Sequence, residues 1–379
     1  MNLPVSRQVM YALAAPAAAV IFAVTLSSLV LIISGSNPVT AYGDMIESGT
    51  QLESIVDMFN RAVPLYLAGV AVAIGFKMNL FNIGVEGQYI LAAFFGAAAG
   101  GAVDLPPFLH VVFIMVVSIS VGAAWAGLAG LLKVHRGINE VISTIMLNFI
   151  AIGGLVAWLS VEWRDGDIAT SSGTALIDDT GHMPNINWIL EIFSRDIRAP
   201  RELSGMVFIA IAVGVLYHLF INRTRMGFDL RASGLNPLAA RAGGVPPARM
   251  IMMAMLLGGA VAGLVGMVDI LSKAHRYDVN FTQAIGFNGI AVALLGRNNP
   301  VGIAVGALLW AFMDTASSVL QITGSATPEI VDIMKGIILL TAVISYEAVG
   351  RIRRREEAAA AAAVLQKRSE DKSTEEAAA

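Results

Sequence analysis

The residues of this chain that could do chemistry are amides and carboxylates set inside very apolar stretches. Asn79, Asn82, Glu86 and Gln88 stand between two apolar runs. Asn139, Glu140 and Asn148 open a third run. Asn288, with Phe287 beside it, lies in a short fourth run that ends in Arg297, Asn298 and Asn299. Amides exchange hydrogen bonds without carrying charge, which suits a path for a neutral polar solute. The same groups also cap helices and bond helix to helix at a membrane edge, so both readings stay open here. Asp314 and Lys335 are a different case. Each lies roughly seven residues, about 10 Å, from the same end of adjacent apolar runs. Adjacent antiparallel helices bring them level, with Asp332 one turn away as a second acceptor. The pair reads as a structural ion pair that fixes helix register, or as a proton or ion relay.

Several chemistries find no support. There is no cysteine, so disulfides and thiolate catalysis are excluded. No GxxxxGK[ST] phosphate loop and no HExxH occurs, and His110, His135, His182, His218 and His275 are scattered without metal-ligand spacing. The sequence implies no cofactor, no metal and no enzyme; any ATP hydrolysis must occur on another chain.

These polar groups need elements to position them, and composition says where. Of 379 residues, 56% are hydrophobic and 14% charged, with a mean hydropathy of +0.71. A soluble domain carries about 25% charged residues, so the chain reads as an integral membrane protein. Taking about 20 apolar residues per crossing, ten runs qualify: 11–33, 61–76, 85–103, 108–132, 140–160, 203–221, 249–271, 283–296, 301–321 and 329–347. The second and eighth are short, as broken helices are. The first is longer than a signal-peptide core and no clear cleavage site follows it, so it reads as a retained helix. Most of the 25 Lys and Arg fall on one side if both termini are cytoplasmic. The expected architecture is an all-α, polytopic bundle over residues 1–350. An external loop covers 161–202, a cytoplasmic loop covers 222–248, and a low-complexity, disordered cytoplasmic tail covers 351–379.

The cytoplasmic loop holds a second candidate. Ser233-Gly234 reads as a turn, Asn236 as an N-cap and Pro237 as the first helical residue. Leu238, Ala239 and Ala240 continue a short helix to Ala242, which Gly243-Gly244 ends. A capped helix with little core of its own suits docking on a partner, or is an ordinary interhelical loop.

Three runs carry a resemblance: FNIGVEGQ (Phe81–Gln88), HRGINEVISTIMLNFIA (His135–Ala151) and GFNGIAVALLGRNNPVG (Gly286–Gly302). They resemble the permease subunits of bacterial ABC importers, in the superfamily serving ribose-type sugars and branched-chain amino acids. Within it they are most similar to the simple-sugar and nucleoside branch, including guanosine-type permeases. The resemblance implies a type II ABC importer-like bundle of about ten spans in the cytoplasmic (inner) membrane. It implies pairing with a second, homologous permease, two ATP-binding subunits on the cytoplasmic side, and an external solute-binding protein. The solute expected is a nucleoside or simple sugar, with branched-chain amino acids or proton-coupled transport through Asp314 and Lys335 as alternatives. It also makes Gly234, Asn236–Ala240 and Gly244 a coupling helix that meets the ATPase. Leu238-Ala239-Ala240 followed by Gly244 matches the family's EAA-three-residues-G pattern, with Leu in place of Glu.

Overall fold

The computed structural model describes residues 5–164, 173–191, 202–278 and 280–378. Each of the ten apolar runs lies on a helix. These are α1 (Val5–Ile33), α3 (Leu52–Lys77), α4 (Val85–Gly101), α5 (Pro107–Arg136), α6 (Glu140–Glu162), α7 (Met206–Arg223), α10 (Pro247–Ala274), α11 (Ile285–Leu295), α12 (Pro300–Thr323) and α13 (Pro328–Ala378). Between them run α2 (Pro38–Gly49), α8 (Arg225–Leu235) and α9 (Pro237–Ala242). Among the described residues eight helices are long and apolar enough to cross a membrane, and α11, with 11 residues, is not one of them.

Two compact units divide the chain. One takes both ends, Met1–Met45 with Ser317–Ala379; the other is Ile46–Ala316. In the first, α1 packs on α13. Ala15, Ala19, Ala23 and Leu31 form the buried stripe of α1, while Val20, Ile21, Phe22, Val24 and Leu29 are exposed. Lys335 belongs to this unit, and its ammonium lies 2.8 Å from Asp332 Oδ1. Asp314 belongs to the other unit. The tail departs from expectation. In place of a disordered segment after residue 350, α13 continues as a helix through Ala378. Arg351 reaches Glu347 at 2.8 Å and Arg353 reaches Glu357 at 3.0 Å, and an alanine run follows. Alanine has the highest helix propensity, and such i,i+4 pairs add a few tenths of a kcal/mol each. Low hydropathy argued against a packed core; it did not argue against a helix.

In the second unit α3 is the central element. It begins at Leu52, not near 61, and runs 26 residues. The polar set Glu53, Asp57, Asn60 and Arg61 hid its first two turns from a hydropathy reading. Asn60 shows how such a residue is tolerated: it is buried, donates to Glu202 O at 2.8 Å and accepts from Ser204 N at 3.0 Å. Around α3 pack α10, α11 and α7, and α5 packs on α10 and α4. Backbones approach closely through small residues. A Cβ on Gly259 of α10 would lie 2.4 Å from Gly122 O of α5, so only glycine allows that contact.

The part of the 161–202 loop that is described is bound to the end of α10. Met183 N donates to Leu271 O, Ile177 N to His275 O and Thr174 N to Tyr277 O. Arg195 and Arg198 lie outside the described residues. His182 and His275 stack with ring centroids 3.5 Å apart. Burial, and then the neighbouring His182, lower the His275 pKa below its ordinary value, against opposing pulls from Asp179 and Glu202. A depressed histidine pKa means that the folded state prefers the neutral ring. As pH falls through about 6.5 the unfolded chain takes up a proton first. Stability is therefore full above that value and falls below it. Thermal unfolding of the purified protein between pH 7.5 and pH 5, two values bracketing that pKa, checks this. His275→Gln is expected to flatten the acid-side decline, and an unchanged slope would show that the stacked pair does not control it.

Candidate functional site

The polar residues flanking α4 are drawn together into one buried knot. The turn leaving α3 needs Asn79 in the left-handed region, with φ 57°, and Leu80 N returns to Gly75 O at 3.0 Å. Asn82 is buried. Its Oδ1 accepts from Gly84 N at 3.0 Å and from Gln88 Nε2 at 3.1 Å, while its own amide donates to Gln88 Oε1 at 3.3 Å. Asn148, two turns into α6, accepts from Gly87 N at 2.9 Å and donates to Ile83 O at 3.0 Å. At the start of α6, Asn139 accepts from Val141 N as the N-cap, and Glu140 pairs with Lys133 while accepting from Phe81 N at 3.5 Å. These amides bond to backbone and to one another.

Glu86 has a role that its neighbours in sequence do not announce. It is 2% exposed. Its Oε1 accepts from Ala284 N at 2.6 Å and its Oε2 from Gly286 N at 2.8 Å. These are amides at the N-terminus of α11, nearly 200 residues further along the chain. The N-cap residue itself, Ala284, has φ 69° and no side chain that could accept a bond. Glu86 thus supplies from another helix the carboxyl acceptor that a helix N-terminus needs. Tyr89, three residues on, donates to Thr282 O at 2.8 Å. Close approach is required: a Cβ on Gly286 would sit 2.4 Å from Glu86 N, and one on Gly289 2.6 Å from Ala68 Cβ. At the other end of α11, Arg297 and Asn298 both have φ 54°, and Asn298 O accepts from the Tyr217 hydroxyl at 2.8 Å.

Not every candidate joins this knot. Phe287 is 46% exposed on α11, and Asn288 beside it is half-buried. The residues that sequence reasoning passed over are Tyr89, Thr282, Ala284 and Gly286. Only the glycines of GFNG hinted that a backbone approaches there.

The loop between α7 and α10 is two helices rather than one. Ser233 and Gly234, expected in a turn, lie within α8. Ser233 is fully buried, and a Cβ on Gly234 would lie 2.7 Å from the Met78 carbonyl carbon. The helix is seated directly on the backbone that leaves α3, a contact invisible to local turn chemistry. Beyond it Asn236 caps α9, its Oδ1 accepting from Leu238 N at 3.1 Å and Ala239 N at 3.0 Å, with Pro237 at the first position. Gly244 follows in the left-handed region, with φ 84°. Ala240 is buried, whereas Leu235 and Leu238 are 88% and 78% exposed. A capped pair of short helices therefore carries two uncovered leucines at its tip.

A family model described as branched-chain amino acid transport system / permease component matches residues 54–343. The guanosine ABC transporter permease protein NupP of Bacillus subtilis is 30% identical over 334 residues, covering 87% of this chain and 93% of that protein. The glucose ABC transporter permease protein TsgB13 of Haloferax volcanii is 29% identical, covering 87% of each. The nucleoside ABC transporter permease protein NupB of Lactococcus lactis is 29% identical, covering 87% and 90%. With three-quarters of its length inside that family match and its helices built for a bilayer, the chain belongs to the branched-chain amino acid transport system permease-component family, as a multi-pass ABC transporter permease of the cytoplasmic membrane.

Proposed function

We propose that this chain forms the translocation pathway of an ATP-driven importer for a nucleoside or simple sugar, with ATP hydrolysed on separate subunits. The observation that carries the coupling half of this reading is the α8–α9 element. Gly234 rests on the Lys77–Met78 backbone, so a push on the exposed leucines at its tip reaches the end of α3 without passing through a flexible loop. Gly234, Asn236, Pro237, Leu238, Ala239, Ala240 and Gly244 are the coupling residues.

Two considerations support a neutral solute. The relatives named for guanosine, nucleosides and glucose cover most of the chain. Half-helix N-termini in transporters attract the carboxylate of anionic substrates, but the α11 N-terminus is already occupied by Glu86. An amino-acid solute would compete with that carboxylate; a sugar or nucleoside would not. The buried amides Asn82, Gln88 and Asn148 then act by holding the inner turn, with Asn79, Asn139 and Glu140 at its rim, and Phe287 and Asn288 as the members nearest an open surface.

The proposed assembly has ten spans with both termini cytoplasmic, a bundle over 1–350 and a helical tail beyond it. A second homologous permease, two ATP-binding subunits and a solute-binding protein at the 161–202 segment complete it. Reconstitution with the cognate ATP-binding subunits and binding protein tests the function. Uptake of guanosine or glucose is expected to require ATP hydrolysis and to survive a protonophore. Uptake that persists without hydrolysis and collapses with the protonophore would replace this reading by proton-coupled transport. ATP-dependent uptake of leucine alone would replace the solute class.

A further inference from the structure

Thr282, Gln283 and Ala284 are exposed, and so is Phe287 one turn later. Their position in the fold makes that exposure informative. Phe281 packs on α10, where a Cβ on Gly266 would lie 3.0 Å from its Cζ. Gly266 comes well before the end of α10 at Ala274, with the α-helical Met267–Asp269 and the π-helical Ile270–Ala274 between them. From the other side, Thr282 O receives the hydroxyl of Tyr89, which lies in the second turn of α4. The chain between Ala274 and Ile285 therefore dips into the thickness of the bundle before α11 begins.

Within that dip residues 280–284 are not helical, and Ala284 is left-handed. Non-helical backbone and exposed hydroxyl and amide side chains do not face hydrocarbon at such depth. They are tolerated where protein buries them or where they line water. Among the described residues nothing buries Thr282, Gln283 and Ala284. Of the carboxylates near it, Glu86 is buried with both oxygens held by the Ala284 and Gly286 amides, and Asp278, earlier in the same segment, accepts from Asn280 N at 2.6 Å. What remains is a hydroxyl, a primary amide that both donates and accepts, and the face of an aromatic ring.

We propose that Thr282, Gln283 and Phe287 form a water-lined solute-contact surface whose chemistry fits a nucleoside, the base stacking on Phe287 and its polar edge or ribose hydroxyls bonding Gln283 and Thr282. A flat aromatic face stacks on any base, and the amide of glutamine matches a base edge. This rests on the import reading above and names residues and a solute class within it.

The absence of native cysteine makes the test direct. Gln283→Cys, Thr282→Cys and, as a control, Leu216→Cys on the exposed apolar face of α7 are made in the assembled transporter. Inner-membrane vesicles are then treated with a membrane-impermeant, cationic methanethiosulfonate. Thiolates form in water and not in hydrocarbon, so Gln283→Cys is expected to react about tenfold faster than Leu216→Cys or more. Guanosine is expected to slow that reaction several-fold, and leucine is not. If both dip variants react no faster than the control, the water-lined surface is overturned, whatever the uptake assay gives. Fast labelling that neither guanosine nor glucose slows overturns solute contact there, while ATP-driven uptake in the same vesicles leaves the import reading standing. Protection by glucose but not guanosine overturns the nucleoside assignment.

Discussion

Glu86→Ala is expected to lower the thermal stability of the permease more than any other single change in the polar knot. The substitution leaves the buried Gly286 amide without an acceptor and takes from the part-buried Ala284 amide its carboxylate partner. An unsatisfied buried donor such as the Gly286 amide costs about 1–3 kcal/mol, and the carboxylate at the α11 N-terminus is lost as well. Glu86→Gln keeps one oxygen and should fall between the wild type and alanine, because its NH2 faces a second donor. Thermal denaturation in detergent measures the order, and hydrogen exchange at Ala284 and Gly286 locates the effect. Exchange there should accelerate in the alanine variant well beyond that in α5, which Glu86 does not bond. If Glu86→Ala unfolds at the wild-type temperature with those amides still protected, the trans-capping role is wrong.

The second large effect is expected in α9. Ala240→Asp places a carboxylate at a buried position of a six-residue helix, and ATP-coupled uptake should fall by about tenfold or more while the protein still inserts and assembles. Local unfolding of α9 could produce the same loss, so Leu238→Asp serves as the companion. Leu238 is exposed at the tip, so its replacement cannot disturb packing within this chain. It should reduce uptake with no change in melting temperature. Normal uptake in both variants would remove the assignment of α9 as the coupling contact.

Much of this protein is legible from local patterns. A bilayer forces each apolar run into a helix, because backbone groups have no other partners there; Pro107 and Pro328 mark starts, and Gly137 ends α5 in the left-handed region with φ 66°. The α9 cap was legible for the same reason. Asn236, Pro237 and Gly244 act on amides within a few residues of themselves, so their meaning is written into their spacing. Hydropathy failed where polar residues sit inside a helix that the fold satisfies, as Asn60 does in α3, and where a polar segment is nonetheless a good helix former, as in α8 and the end of α13.

Only the tertiary structure decided what the polar knot does. Asn82, Glu86, Gln88 and Asn148 are alike in type and in their place inside apolar runs. Packing separates them, because Glu86 finds its partners at Ala284 and Gly286 and Asn148 finds its own at Ile83 and Gly87. Hydrogen bonds across that much chain depend on where the helices cross, which no spacing encodes. The sequence by itself determined a helical membrane protein with a short capped helix between α7 and α10, since those follow from short-range chemistry and solvent. The fold decided that the conspicuous carboxylate caps a half-helix from within the bundle, and that Thr282, Gln283 and Phe287 beside that cap are left exposed.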